Sequence, residues 1–541
     1  MNAVEQRSAR PNVILVLVDD MGFSDLGLMG SEIMTPTIDS LATDGLVYTA
    51  MYNGARCCPT RAALLTGLYP HNAGIGHMGT NLGSTAYQGF LREDAASIAE
   101  VLRSGGYRTL MSGKWHVGGD LHANRSDSWP LGEPGFPTPT QRGFDEYYGI
   151  VDGVTNFFNP HFVMRNDSKI EVDPTGYFFT DAITDEAIDM IDRARADDQP
   201  YFLYLAHAAP HWPLHAHEED LAKYESTYRT GWDATRGARH EEMIARGILE
   251  SPWDLAPRDP RAPAWTDARH HDWEASKMTA FAAMIDRVDQ SLGRLVAHLK
   301  ATDQFDNTLI LFLSDNGGCA EFMAEDGFAK FMPDRTLDGQ VITMGNVPNL
   351  RPGGPLTYQS YDLPWANVSN APFRLFKHWV HEGGISTPLV AHWPNGIERR
   401  GIVHDPCHVI DLLPTILDVT GVSMVSEVDG RPVQAMDGES FRKTFNEADW
   451  HREQPLCWEH EGNAAVRVGD FKLVREHGGP WELYDMHEDR TELDNLAGRV
   501  PAAETELRAT YEEWAARVGV VDWDRLLPIV QESWGMDDIH G

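Results

Sequence analysis

Short runs of consecutive apolar residues recur along this chain, and each ends in a cluster of polar ones. Residues 13–18 run into Asp19-Asp20, residues 107–111 into Gly113-Lys114-Trp115-His116, and residues 308–313 into Ser314-Asp315-Asn316-Gly317-Gly318. Residues 201–205 lead through His207 to His211. Unbroken apolar runs predict strands covered on both faces, as in a parallel sheet, because a sheet with one wet face shows strict alternation. Helical spacing lies between them, most clearly at Phe281, Ile285, Val288, Leu292, Leu295 and Leu299. Residues 408–422 predict an apolar helix closing this unit. The fold class is therefore α/β, with a large central, mostly parallel sheet flanked by helices. Such sheets carry their sites beyond the carboxyl ends of the strands, so the four polar clusters are expected to converge on one crevice.

Two stretches break the pattern. Residues 212–275 mix Trp, His, Arg and acidic groups, and residues 319–370 are rich in Gly, Pro and Asn. Long irregular insertions in a compact enzyme usually form functional rims, so both are expected at the pocket mouth. Trp212, Trp253, Trp265, Trp273 and Trp365 are expected in the core for the most part. After about residue 445 the texture changes to short β-like runs (464–468 and 471–474), followed by a helix over 502–518. The chain thus divides into a main domain, 1–445, and a smaller α+β C-terminal domain, 446–541.

Lys plus Arg number 45 and Asp plus Glu 81, a formal charge of −36. A field of that sign repels polyanions, which excludes nucleic acid and anionic membranes as expected partners. A pocket for an anion would have to be locally basic. The N-terminal segment has no apolar h-region and no later stretch is long enough to span a bilayer, so a cytoplasmic protein is the expectation. Its length is compatible with a homo-oligomer. The five cysteines (Cys57, Cys58, Cys319, Cys407 and Cys457) form a sparse, odd set without zinc-ligand spacing, which points away from a disulfide framework. Asn124, Asn166 and Asn367 open glycosylation-like triplets that carry no weight without a secretory signal.

Chemistry enters with two carboxylate-containing pairs and one string. Asp19-Asp20 and Asp315-Asn316 offer oxygen ligands only, the kind a hard cation such as Ca²⁺ prefers, although each pair alone is equally a turn or a helix cap. The string Cys57-Cys58-Pro59-Thr60-Arg61-Ala62-Ala63-Leu64-Leu65-Thr66-Gly67 contains Cys-x-Pro-x-Arg and ends in Thr-Gly. It resembles the signature of the type I sulfatases, in which the signature cysteine is oxidised after translation to formylglycine and the aldehyde hydrate is the nucleophile. Counting back from Pro59 and Arg61 gives Cys57 the required spacing and leaves Cys58 in the variable position. The resemblance extends over residues 12–27, 53–74, 113–118, 207–213, 314–318 and 377–394, and again over 458–497.

That resemblance implies the alkaline-phosphatase-type α/β fold with a small C-terminal domain, and a set of roles. Asp19, Asp20, Asp315 and Asn316 would hold Ca²⁺, with Mn²⁺ or Mg²⁺ also suited to oxygen ligands, and the hydroxyl made from Cys57 would complete the shell. Arg61 would support the hydrate and the carboxylates. Lys114 would face the sulfate and His116 the hydrate. His211 would sit near the ester oxygen, and Lys377, five residues before Glu382-Gly383-Gly384, would bind sulfate. His207 reads as a structural neighbour of His211. One hydroxyl of the hydrate would attack sulfur with Asp315 taking its proton, while His211 or Lys377 protonates the departing alcohol. His116 would then deprotonate the second hydroxyl, which expels sulfate. The implied partners are a small-molecule sulfate ester and a formylglycine-generating maturation enzyme. Two departures stand out: Arg56 precedes the signature where many relatives have a small or hydroxyl residue, and Ser386-Thr387 stands where many carry Arg-Val. A sulfuric ester hydrolase of arylsulfatase type is the leading reading. A phosphonate monoester or phosphodiester hydrolase with the same site, and a non-catalytic sulfate-ester or glycan binder, are the alternatives.

Overall fold

The computed structural model describes residues 10–249, 253–448 and 450–537. Residues 1–9, read above for a leader, and the side chain of Asn124 lie outside the described residues. Eleven strands form the main sheet: β1 (Asn12–Asp19), β2 (Leu46–Tyr52), β3 (Arg108–Lys114), β4 (Glu146–Ile150), β5 (Val163–Arg165), β6 (Ser168–Ile170), β7 (Tyr201–Pro210), β8 (Thr308–Ser314), β9 (Ser386–His392), β10 (Gly401–Val403) and β11 (Cys407–His408). Their order is β10-β2-β9-β8-β1-β7-β3-β4-β5-β6, with β11 beside β2. The four strands that carry the polar clusters, β8, β1, β7 and β3, are consecutive neighbours and all parallel. β9 enters antiparallel between β8 and β2.

The period of two along β1 explains its unbroken apolar run. Ile14, Val16 and Val18 join a core with Phe281, Ile285, Val288 and Leu292. Val13, Leu15 and Leu17 join the opposite core with Leu64, Ile98, Leu413 and Ile416. Each face meets helices, so neither can be polar. On the first face lie α3 (Phe179–Ala196) and α6 (His271–Ala301), and on the second α1 (Cys57–Thr66), α2 (Ile98–Ser104) and α7 (Leu412–Thr420). The predicted long helix is longer at both ends than its apolar stripe. The predicted helix over 408–422 shrinks to α7, because 407–408 is drawn into the sheet as β11 and Gly421, at φ 67°, ends the last turn.

One expectation holds only in part. Residues 212–275 include α4 (Glu218–Tyr224), α5 (Trp232–Ala245) and the start of α6, while the described residues between α5 and α6 are largely without helix or strand. The helical stripe of α5 was hidden because two of its buried positions are Arg236 and Arg239. Arg239 is fully enclosed and pairs with Asp25 and Glu32, each at 2.7 Å. Residues 319–361 are likewise largely without helix or strand. Of the five tryptophans, all but Trp265 are buried. Among the described residues no helix is long and apolar enough to cross a membrane.

The smaller C-terminal sheet is antiparallel, β12 (Leu456–His460), β13 (Asn463–Val468), β14 (Phe471–Arg475) and β15 (Glu482–Asp485), followed by α8 (Pro501–Val518) and a further helix, α9 (Trp523–Trp534). It is tied to the main sheet through Glu382, just before β9. Glu382 Oε1 accepts from Lys472 Nζ at 2.8 Å, and Oε2 accepts from Arg490 Nε at 2.8 Å and from the Tyr52 hydroxyl at 3.0 Å. Burial would raise this carboxyl, but Lys472, Arg490 and Arg467 hold it at about 2. Because the folded value is depressed, the contribution is complete above the ordinary value of 4.5 and is lost as pH falls towards about 2. Lys472→Met removes the ammonium that meets Glu382 Oε1 at 2.8 Å and Glu492 Oε1 at 2.9 Å and leaves Glu382 with Arg490 and Tyr52, and urea unfolding should show a loss of about 3 kcal/mol.

Candidate active site

Register brings the polar clusters together. Val18 pairs with Ser314 and Asp19 with Pro210, while Gly113 pairs with Ala206. The residues that follow, Asp20, Asp315-Asn316, His211 and Lys114, therefore emerge side by side at one edge. Asp20 and His116 have φ of 69° and 56°, left-handed values that non-glycine residues rarely adopt and that mark backbone held by its surroundings. Gly317 lets this edge close, since a Cβ there would meet the Gly383 carbonyl oxygen at 1.9 Å.

Helix α1 delivers Cys57 to the same place. All ten of its residues are buried, Pro59 sits in the first turn where no amide partner is lost, and Gly67 at φ 66° caps the end. Cys57 is its first residue, so its thiol lies at the positive end of the helix. Four residues on, Arg61 turns inward, fully enclosed. It donates to Asp315 Oδ2 from Nη2 at 2.8 Å and from Nε at 3.1 Å, and Nη2 lies 3.5 Å from Asp19 Oδ2. Lys114 Nζ donates to Asp19 Oδ2. Lys377 Nζ lies 2.9 Å from Asp20 Oδ1, and His211 Nε2 lies 3.5 Å from Asp20 Oδ2. Asn316 Nδ2 donates to Asp20 Oδ1 at 2.7 Å. His116 lies with Cys57 and Cys58, the donor atoms of the three within 4.8 Å of one another. All ten residues expected at the site are thus brought into one cluster. His207 is not: it is buried inside β7 without a hydrogen-bond partner among the described residues, and burial lowers it to about 3.

Electrostatics divide the carboxylates. Burial would raise Asp19, but Lys114, His211 and Arg61 hold it at about 2. Burial and the neighbouring Asp19 push Asp315 well above the ordinary range. Burial opposes the charge of Lys377, yet Asp20 keeps it firmly protonated. The Cys57 thiol is drawn well down by its hydrogen bond with Cys58, against burial, and by His116, Lys114 and Lys377. Burial and Lys114 lower His116 to about 4, which leaves it a neutral imidazole.

The cluster fits a hard divalent cation. Asp19 Oδ1 and Asn316 Oδ1 are buried with no hydrogen-bond partner among the described residues. Both are oxygens of the kind such a cation takes, and a cation beside them would relieve the repulsion between Asp19 and Asp315.

The mouth of the cleft differs from expectation. Among the described residues, the 212–275 stretch contributes only Trp212, next to His211. Phe328, Phe331 and Glu321 come from the 319–370 stretch, and Trp534 from α9. The Trp534 indole donates to Thr80 Oγ1 at 3.0 Å. Arg56, noted only as a departure from the family pattern, lines the cleft and is clamped between Glu321 at 3.1 Å and Glu461 at 3.6 Å. Glu321 also accepts from the Trp212 indole at 2.9 Å. Nothing local in the sequence marked Glu321 or Trp534. The other departure is accounted for: Ser386 Oγ accepts from Arg490 at 2.5 Å, and Thr387 Oγ1 donates to the Ser314 carbonyl at 3.2 Å, beside Asp315.

Comparison with known proteins places this geometry. The sulfatase family model matches residues 11–422, and a model described as N-sulphoglucosamine sulphohydrolase, C-terminal, matches residues 373–514. The chain is 30% identical to an uncharacterized sulfatase of Schizosaccharomyces pombe, over 96% of this chain and 95% of that one. It is 31% identical to an arylsulfatase of Klebsiella aerogenes, over 80% of this chain and 91% of the relative. Among solved structures, Ps i-CgsB in complex with k-i-k-neocarrahexaose superposes with a TM-score of 0.68 at 25% identity, covering 98% of each chain.

Arg61 grips two carboxylates that face the cation position, and a lysine cannot reproduce its fork. Arg61→Lys should weaken divalent-cation affinity by about 10- to 100-fold, read by calorimetric titration. Unchanged affinity would show that the guanidinium does not set the carboxylates.

Proposed function

We propose the following chemistry for a chain that belongs to the sulfatase family and hydrolyses sulfate esters. Cys57 is the position oxidised to formylglycine by a maturation enzyme. Asp19, Asp20, Asp315 and Asn316 hold a divalent cation, and the substrate is a small sulfate monoester of arylsulfatase type. The observation that carries this reading is that Lys114, His211 and Lys377 meet Asp19 and Asp20 beside Cys57 and His116, while Asp19 Oδ1 and Asn316 Oδ1 stay buried without a hydrogen-bond partner among the described residues. When bound, the hydrated aldehyde supplies a geminal-diol nucleophile and the cation supplies charge neutralisation. The oxygen donors favour Ca²⁺, with Mg²⁺ and Mn²⁺ as the alternatives.

The chain's own residues do the rest. Lys114 and Lys377 present two buried ammonium groups to the sulfate oxygens, which answers locally the repulsion expected from a net charge of −36. His211 binds the Trp212 carbonyl through Nδ1 at 2.7 Å, which fixes the ring and leaves Nε2 to carry a proton to the departing oxygen. Asp315, held by Arg61, accepts a proton at its carboxylate. His116, kept neutral, accepts one at position 57 in the step that releases sulfate. Trp212 and Phe328, with ring centroids 6.2 Å apart, offer an apolar wall to the alcohol part of the ester.

Two outcomes check this. Aldehyde-reactive labelling of the peptide containing Cys57 should rise in proportion to aryl sulfate turnover across preparations; full turnover in protein that carries only the thiol would overturn the nucleophile. His211→Asn should slow esters of poorly acidic alcohols by about 10²-fold or more, but slow 4-nitrophenyl sulfate far less, because nitrophenolate leaves without help. An equal loss on both would remove His211 as the acid.

A further inference from the structure

A second group of metal-ligating side chains lies behind the cleft wall. His378 follows Lys377 directly, His460 is the last residue of β12, and Glu461 opens the two-residue turn to β13. The donor atoms of His378, His460 and Glu461 all lie within 4.8 Å of one another. Glu461 Oε2 is 2.6 Å from His378 Nδ1, and Glu461 Oε1 is 3.5 Å from His460 Nε2. His378 is 7% exposed, His460 1% and Glu461 3%.

A further observation points to a ligand. Neither ring nitrogen of His460 has a hydrogen-bond partner among the described residues. A buried imidazole left so is a signal for a missing water or ion. Glu461 and Gly462, at φ 52° and 78°, make the two-residue turn that closes the β12–β13 hairpin, which sets Glu461 beside His460.

We propose that His378, His460 and Glu461 hold a structural Zn²⁺ ion. Two imidazoles and one carboxylate suit a borderline cation of tetrahedral habit, whereas the oxygen set around Asp19 suits a hard one. A second shell is in place on Glu461 Oε1, which lies 2.7 Å from His77 Nε2 and 3.6 Å from Arg56 Nη1. The ion would pin the β12–β13 turn of the C-terminal sheet to the loop that carries Lys377, with Arg56 as the link to Cys57. The proposal is independent of the reaction assigned above.

The full chain, purified without chelators, should contain one zinc per chain by inductively coupled plasma mass spectrometry. His460→Gln and His378→Gln should each lower zinc affinity at least tenfold while the oxygen-site cation is retained in the same measurement. Because either variant could fail to fold, cobalt(II) is also titrated into the chelated wild-type chain. One equivalent should produce the intense d–d absorption of a tetrahedral site containing nitrogen and raise the melting temperature. A wild-type chain that retains no zinc and gives no such bands overturns the proposal, as does a folded His460→Gln chain that binds zinc as tightly as the parent.

Discussion

Everything at the reactive edge of this sulfatase depends on a carboxylate that is out of water. Asp19 ends the central strand with no exposure, and its charge survives because Lys114 and Arg61 meet one oxygen while the other is left for a cation. Neither side of that balance is stable alone. Without the cations the carboxylate would be driven to protonate, and without the carboxylates Arg61, itself fully enclosed, would be an unpaired buried charge. The charges hold one another at the strand ends, and that requirement fixes where β1, β3 and β8 stop and where α1 begins.

The sheet supplies the precision that such a balance needs. Parallel register sets the ends of β8, β1, β7 and β3 level, so groups nearly three hundred residues apart in the chain, such as Asp20 and Asp315, come within a backbone hydrogen bond of each other. A slip of one residue in any of these strands would exchange its two apolar faces between the two cores, so the packing that stabilises the sheet also prevents the site from drifting. Lys377 is positioned differently. It lies on the loop before β9, and that loop is braced from the far side by Glu382, Lys472 and Arg490. The C-terminal sheet is thereby part of the support for a lysine that lines the cleft, and the Trp458 indole adds a bond to the Asn53 carbonyl just upstream of Cys57.

The cleft reconciles an acidic protein with an anionic substrate. Its inner end gathers Lys114, Lys377 and the helix terminus at Cys57, whereas its mouth carries aromatic rings and Arg56 there is paired with Glu321. Positive charge is thus concentrated where the sulfate group would lie, while the surface keeps its negative excess.

By itself the sequence determined the four parallel strands that end in polar clusters, and its resemblance to the sulfatase signature named the ten residues that meet at the site. These are local facts: a strand buried on both faces must be apolar throughout, a polar pair immediately after it must sit at the strand's end, and Cys57 is set by its spacing from Pro59 and Arg61. Tertiary structure decided the rest. The helix α5 was hidden because Arg236 and Arg239 occupy buried positions, which only the distant Asp25 and Glu32 make tolerable for Arg239. Glu321, Trp534 and the grouping of His378 with His460 and Glu461 had no local signal, since each acquires its meaning from a partner brought near by the sheet and not by the chain. Periodicity reports which face of an element is covered; it carries no information about which distant charge will cover it.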